Sequence, residues 1–138
     1  MGIREKQSSC ETELMTIAQA SEAVRDGSCA PAELVSKCLA RIDTLQPQIN
    51  AFITVTDADA IREARFAESD IREGRWRGPL HGIPIGIKDF YDTAGVPTTA
   101  AYEPFKRRIT KTDAVAVQRL GAPSARKSWG NRRHTAPY

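Results

Sequence analysis

The strongest constraint on the fold is a run of apolar positions that opens just after a proline. From Pro31 the chain places Leu34, Val35, Cys38, Leu39, Ile42 and Leu45 at steps of one, three, one, three and three. Residues three and four apart stack along one side of an α-helix, so this spacing builds a single apolar stripe. Pro31 suits the first helical position, where its missing N–H costs nothing, and Glu33 falls in the first turn, where the dipole favours an acid. Pro47 is expected to limit the C-terminal end. A helix so one-sided has to cover its stripe with other parts of the chain. At 138 residues the chain is long enough for one ordinary domain, which would bury roughly two-thirds of its unfolded surface.

The neighbouring segments offer partners for that stripe. Glu13–Arg25 reads as a first helix, with Leu14, Ile17, Ala18 and Ala20–Val24 as a loose apolar face and Gly27 as its stop. Ala51–Val55 is short, β-branched and aromatic and reads as a strand or an extended segment. Asp57 can cap a third helix to about Ile71, with Ile61, Ala64, Phe66, Ala67 and Ile71 as its apolar residues. Gly74 to Pro79 then breaks the chain, with Arg72, Arg75 and Arg77 around Trp76 as a solvated helix end and loop. At Ile83, Ile85 and Ile87 the period changes to two, so one face of a strand is all isoleucine and the other carries Pro84, Gly86 and Lys88. Gly86 leaves room there for a backbone or a substrate to come close. Asp92–Pro97 reads as a loop, and Asp113–Leu120 as a short helix capped by Thr112 or Asp113. The order helix, helix, strand, helix, strand predicts an α/β domain in which the Lys88 strand is buried.

Several function classes are disfavoured at once. No apolar window approaches the roughly 20 residues that span a bilayer, and no apolar region follows the charged N-terminus as in a secretory signal. Cys10, Cys29 and Cys38 are an odd set without metal-type spacing, read as free thiols in a reducing cytoplasm. Cys38 lies on the helical stripe and is read as core. His81 and His134 are too few and too far apart for a zinc site, and no phosphate-binding glycine motif occurs, so neither metal nor cofactor is expected. Charge is uneven: residues 1–103 carry 11 Lys and Arg against 16 Asp and Glu, a balance of −5, while residues 104–138 carry 9 against one, a balance of +8.

The segment Gly78–Thr99 carries the chemistry. It reads Gly-Pro-Leu-His-Gly-Ile-Pro-Ile-Gly-Ile-Lys-Asp and then Phe-Tyr-Asp-Thr-Ala-Gly-Val-Pro-Thr-Thr. A lysine at its solution pKa of about 10.4 is protonated at neutral pH and no base; burial lowers that value, and hydroxyl partners can relay its proton. Taken alone, an Ile-Lys-Asp tripeptide is more often a salt-bridged or surface lysine at a strand end. His81, between Leu80 and Gly82, reads as a turn residue bonded locally rather than as a rival base. The whole string resembles the lysine-bearing segment of the amidase signature family, serine hydrolases of carboxylic amide C–N bonds. The paired N-terminal helices, Asn50–Thr54 and the helix at 113–120 resemble that family's front end too, so the resemblance covers about 12–120. It implies the N-terminal part of the amidase signature fold, with helices packed on a mixed central sheet, left incomplete. It also implies that Lys88 is the general base of a Ser-Ser-Lys triad. In that triad one serine relays the proton and another, in a Gly-Ser-rich loop, attacks the carbonyl. Asp89, Asp92, Thr98 and Thr99 are read as holding the segment's shape or lining the site.

The resemblance stops near Gly121. Residues 121–138 have no apolar periodicity and are rich in Arg, Pro, Ser and Gly. Ser124 and Ser128 are the only serines after Lys88, and neither stands in a glycine-rich loop. The expected organisation is therefore a flexible N-terminus over 1–11, a partial amidase-signature domain over 12–120, and an atypical basic tail over 121–138, either disordered or frameshifted. The expected function is that of an amidase fragment, inactive alone for want of both serines, with an amide substrate in its full-length relatives. Family relatives also feed ammonia to a partner for tRNA-linked amidation. The expected partner is a homologous amidase subunit, with neither nucleic acid nor membrane. The competing reading is a small basic protein that docks on an amidase or binds nucleic acid through Lys106, Arg107, Arg108, Lys111, Arg126, Lys127, Arg132 and Arg133.

Overall fold

The structure is a computed structural model that describes residues 15–120. The N-terminal segment 1–11 and the tail 121–138 assigned from sequence fall outside the described residues. Four α-helices follow in order: α1 (Ile17–Arg25), α2 (Pro31–Ile49), α3 (Asp57–Arg72) and α4 (Val115–Leu120), with a 3-10 turn at Glu103–Phe105. α1 begins later than its apolar pattern suggested. Thr16 forms a capping box, accepting from the Gln19 N–H at 3.2 Å while its own N–H donates to Gln19 Oε1 at 2.8 Å. Ile17 and Ala18, read as part of the apolar face, are exposed, and Ser21 is buried in their place.

α2 opens on Pro31 as expected but does not stop before Pro47; it runs on to Ile49. Proline removes one N–H late in the helix, and the chain is caught immediately afterwards. Asn50 takes the left-handed conformation (φ 44°) and donates its N–H to Gln46 O at 2.8 Å. Gln46 then holds Phe52 at both ends, accepting its N–H at 3.0 Å and donating to its carbonyl at 2.6 Å. That side chain takes the polar groups a neighbouring strand would have used. Ala51–Val55 accordingly holds one bridge residue, Thr54, instead of a strand.

The N-cap position of α3 is Thr56, whose hydroxyl makes no capping hydrogen bond, and Asp57, expected as the cap, occupies the first helical position. Its Ala60, Ala64 and Ala67 are buried and let it lie close to α2; Phe66, placed on the apolar face from sequence, is 65% exposed. Two apolar clusters result. Ala20, Ala23, Val24, Cys29 and Leu34 form one, with Met15, Ile71, Trp76 and Ile83 packed on it. Val35, Leu39, Ala60 and Ala64 form the other, flanked by Ile42, Phe52 and Val55. Cys38 is half-buried, and burial raises its thiol pKa against a smaller opposing effect of Arg41. Cys29 is disulfide-bonded, which corrects the reading of three free thiols; Cys38 is free.

The mixed central sheet does not form among the described residues. Their β-structure is limited to isolated bridges, including Ala94 with Thr110 and Pro97 with Ile109. Residues 83–88 do not form a strand with the other described residues, and Pro84 has no N–H to give to a ladder. No helix is long and apolar enough to cross a membrane among the described residues.

Candidate active site around Lys88

Lys88 is held in place from upstream by a buried turn. His81 is 4% exposed; the Arg77 N–H donates to its Nδ1 at 3.2 Å, and its own N–H donates to Gly78 O at 3.0 Å. Local bonding of the imidazole, read from the sequence, is what the structure has. With Nδ1 accepting, the ring proton belongs on Nε2. Nε2 is buried without a hydrogen-bond partner, 4.0 Å from Asp70 Oδ2 on α3. Burial, and then the Arg77 charge, lower the His81 pKa against the smaller pull of Asp70, so the ring is kept neutral. Asp70 in turn binds Arg75 and Arg77, and the Arg75 hydrogen bond is the main cause of its lowered pKa. Arg75 and Arg77 around Trp76 are thus spent on acids of the α3 end, as a solvated helix terminus would have it.

Next along the chain, Gly82 makes the close approach that the sequence reading gave to Gly86. Gly82 is left-handed (φ 79°), and a Cβ built on it would lie 2.9 Å from Pro31 Cγ and 3.5 Å from Val24 Cγ1. The only sequence signal was a glycine following a histidine in a turn. Gly86 has nothing within 4 Å of its Cβ direction. It lines instead an open, mostly apolar groove of about 340 Å³ with Pro84, Phe52 and the α2 side chains Cys38, Ile42, Leu45 and Ile49.

Lys88 itself is exposed, not buried as its strand was expected to be. The strand reading placed it inside a sheet, and within residues 15–120 no second strand comes to cover it. Its side chain has no hydrogen-bond or ion-pair partner among the described residues. Its carbonyl, by contrast, accepts from both Phe90 N–H (2.6 Å) and Tyr91 N–H (3.0 Å), so a tight turn starts at Lys88.

Downstream, that turn is tied to a distant loop. Asp89 Oδ1 accepts from the Thr99 N–H at 2.8 Å, Oδ2 accepts from the Thr99 hydroxyl, and the Ala100 N–H donates to Asp89 O at 3.0 Å. Ala100 and Ala101 follow at φ 50° and 53°. Left-handed alanines cost about 1–2 kcal/mol each and persist only where their surroundings over-determine them. Asp92 forms a two-pronged pair with Arg108 at 2.7 Å on both arms, which raises the Arg108 pKa. Asp113, expected as a helix cap, accepts from the Ala94 N–H at 2.6 Å, and α4 starts at Val115. Thr98 is buried and bonds through its N–H to Arg108 O at 3.0 Å. The shape-holding role read for Asp89, Asp92, Thr98 and Thr99 is visible in these contacts. The pairings of Arg108 and Asp113, both given other roles from the sequence, were not foreseen because their partners lie 16 and 19 residues away.

Other candidates gather less. Of the basic residues read as a nucleic-acid surface, Arg108 is committed to Asp92 and Lys106 to Glu103 at 3.0 Å; Arg126, Lys127, Arg132 and Arg133 lie outside the described residues, as do Cys10, Ser124, Ser128 and His134. Among the described residues no three His, Cys, Asp or Glu side chains assemble as a metal site.

Residues 33–126 match the family model described as Amidase. An amidase of Pseudomonas putida is 38% identical over 106 residues, covering 77% of this chain and 22% of that protein. A subunit of the glutamyl-tRNA(Gln) amidotransferase of Chloroflexus aggregans is 40% identical over 110 residues, covering 80% of this chain and 22% of its own length. Among solved structures, native peptide amidase from Stenotrophomonas maltophilia superposes with a TM-score of 0.70 at 32% identity, over 80% of this chain and 22% of that one. The chain thus spans about a fifth of the length of the relatives it matches.

Proposed function

Because the chain belongs to the amidase family, we propose that it carries the general-base part of an amidase active site, for serine-dependent hydrolysis of carboxylic amide C–N bonds, with Lys88 as the base. The observation that supports this is the presentation of Lys88. Its backbone is anchored upstream by buried His81 and Gly82 and downstream by the Asp89–Thr99 contacts, while its side chain is exposed and unengaged among the described residues.

The chemistry sets a requirement. A base in this reaction needs a hydroxyl to take a proton from and shelter from water, so further protein must supply both around Lys88. Once neutral, Lys88 Nζ takes a proton from a bridging serine hydroxyl, which takes one from the nucleophilic serine. That serine oxygen bonds to the carbonyl carbon, the C–N bond breaks, and the relayed proton goes to the leaving amine. A water molecule then releases the acid by the same route. Neither serine lies in a suitable loop of this sequence, so the 138 residues alone are inactive on this reading. One matched relative is by its name part of a multi-chain enzyme, and a partner chain that supplies the cover and the serines fits the same requirement.

The test is complementation. The chain is produced alone and together with the part of the Pseudomonas putida amidase that it does not match, and hydrolysis of simple primary amides is followed by ammonia release. The chain alone is expected to be inactive and the pair active, with the activity lost in Lys88→Ala. Activity of the pair that survives Lys88→Ala would overturn the assignment.

A further inference from the structure

We propose that Asp89 and Thr99 are positioning residues for Lys88: their contact fixes the direction in which the lysine leaves the backbone. The inference rests on the reading of Lys88 as the base and adds to it how the base is aimed. Lys88 is the first residue of a tight turn and Asp89 its first corner, since the Phe90 and Tyr91 N–H groups both return to Lys88 O. A corner residue decides how the preceding side chain is oriented, because the two share a peptide plane. At this corner every polar group available to Asp89 beyond its own N–H is taken by residues 99 and 100. Oδ1 takes the Thr99 N–H, Oδ2 the Thr99 hydroxyl, and the carbonyl the Ala100 N–H.

Thr99 is committed as well. Its Oγ1 donates to Asp89 and accepts from the Ala101 N–H at 3.2 Å. The two left-handed alanines that follow show that the chain is bent against its preference to bring Thr99 back under Asp89. None of Asp89, Thr99, Ala100 and Ala101 belongs to the helical clusters or to the hydrophobics packed on them. The packing of those clusters does not require the contact. A fixed origin for the Lys88 side chain does, because a base displaced by about 1 Å can lose about a hundredfold in rate.

The experiment uses the 138-residue chain uniformly labelled with ¹³C and ¹⁵N and the same chain in the complemented enzyme. Thr99→Val keeps the shape and the N–H but deletes the hydroxyl; Thr99→Ser keeps both hydrogen bonds. In the chain alone, the Lys88 ¹³Cα signal, assigned through its neighbours Ile87 and Asp89, is expected at a position distinct from that of an unstructured lysine, because the turn fixes the Lys88 backbone. It should move to the unstructured position in Thr99→Val and Asp89→Ala and return in Thr99→Ser, with the thermal midpoint of the helices unchanged. In the complemented enzyme, Thr99→Val is expected to lower kcat about tenfold or more with KM within about twofold, and Thr99→Ser to restore it. A Lys88 signal indifferent to Thr99→Val and Asp89→Ala overturns the positioning role. If the wild-type pair shows no activity, the reading of Lys88 as base fails, while the signal in the chain alone still decides the Asp89–Thr99 role.

Discussion

Replacing Gly82 by alanine should be costly for two separable reasons. The first is conformational: at φ 79° an L-residue pays about 1–2 kcal/mol that glycine does not. The second is steric. The new Cβ would meet Pro31 Cγ at 2.9 Å and Cβ at 3.1 Å, and the proline ring, fixed at the first position of α2, cannot swing aside. Overpacking of this kind costs about 1–3 kcal/mol, so Gly82→Ala should lose about 2–5 kcal/mol of a total that for small domains is about 5–15. Gly27 is the control: it is also left-handed (φ 76°) but has nothing within 4 Å, so Gly27→Ala should lose only about 1–2 kcal/mol. Urea unfolding followed by circular dichroism reads the difference as a gap of about 1–2 M between the two midpoints at a common slope. Pro31→Ala removes Cγ and keeps Cβ at 3.1 Å, so the double variant Pro31→Ala/Gly82→Ala should lose about 0.5–2 kcal/mol less than the sum of the singles. Equal shifts for Gly82→Ala and Gly27→Ala, together with additivity of the double variant, would refute the close approach and leave only backbone strain.

Acid should weaken the fold in a window set by His81. Its pKa is lowered from 6.5 in the folded state, chiefly by burial, so the unfolded chain binds a proton that the native state refuses. Stability is full above pH 6.5 and falls as pH drops below it. Urea midpoints between pH 8 and pH 5 should decline for the wild type and stay flatter for His81→Gln; equal declines would exclude His81 as the cause. Asp70 acts in a lower window: its pKa is lowered from 3.8, so its contribution is present above that value and lost as pH falls through its folded value. Thr16→Ala removes the hydroxyl half of the α1 capping box and should cost about 1 kcal/mol, with Thr16→Ser close to neutral in the same assay.

The helices were legible because each is governed by residues within one or two turns. Leu34 through Leu45 announced α2, and Pro31 its start. Its end was misread because Pro47 was weighed alone, whereas Gln46 and Asn50 catch the chain after it. The strands were misread for a different reason. An alternating run such as Ile83–Ile87 states which faces differ, but a ladder also needs a second strand, and no strand forms over this run among the described residues. Lys88 could be picked out from the string around it, yet its exposure could not, since burial depends on what lies across from it. Asp92 with Arg108 and Asp113 with Ala94 are separated by loops that carry no period, so only the folded chain brings them together.

The two apolar clusters meet within α2 at consecutive residues, Leu34 in one and Val35 in the other. α2 cannot shed one cluster and keep the other, so the amide hydrogens of α2 and α3 are expected to exchange as one cooperative unit, by global opening. The stretch from Asp89 to Asp113 is fastened to itself by backbone hydrogen bonds, side-chain hydrogen bonds and an ion pair, and it is expected to open while the helical unit stays shut. Residues 81–83 belong to the first unit through Gly82 and Ile83, and Asp89 belongs to the second. Lys88 stands at the seam. Whatever closes the second unit against the first also sets the lysine, and slow exchange at Thr99 and Ala100 is the mark of a chain in which it has been set.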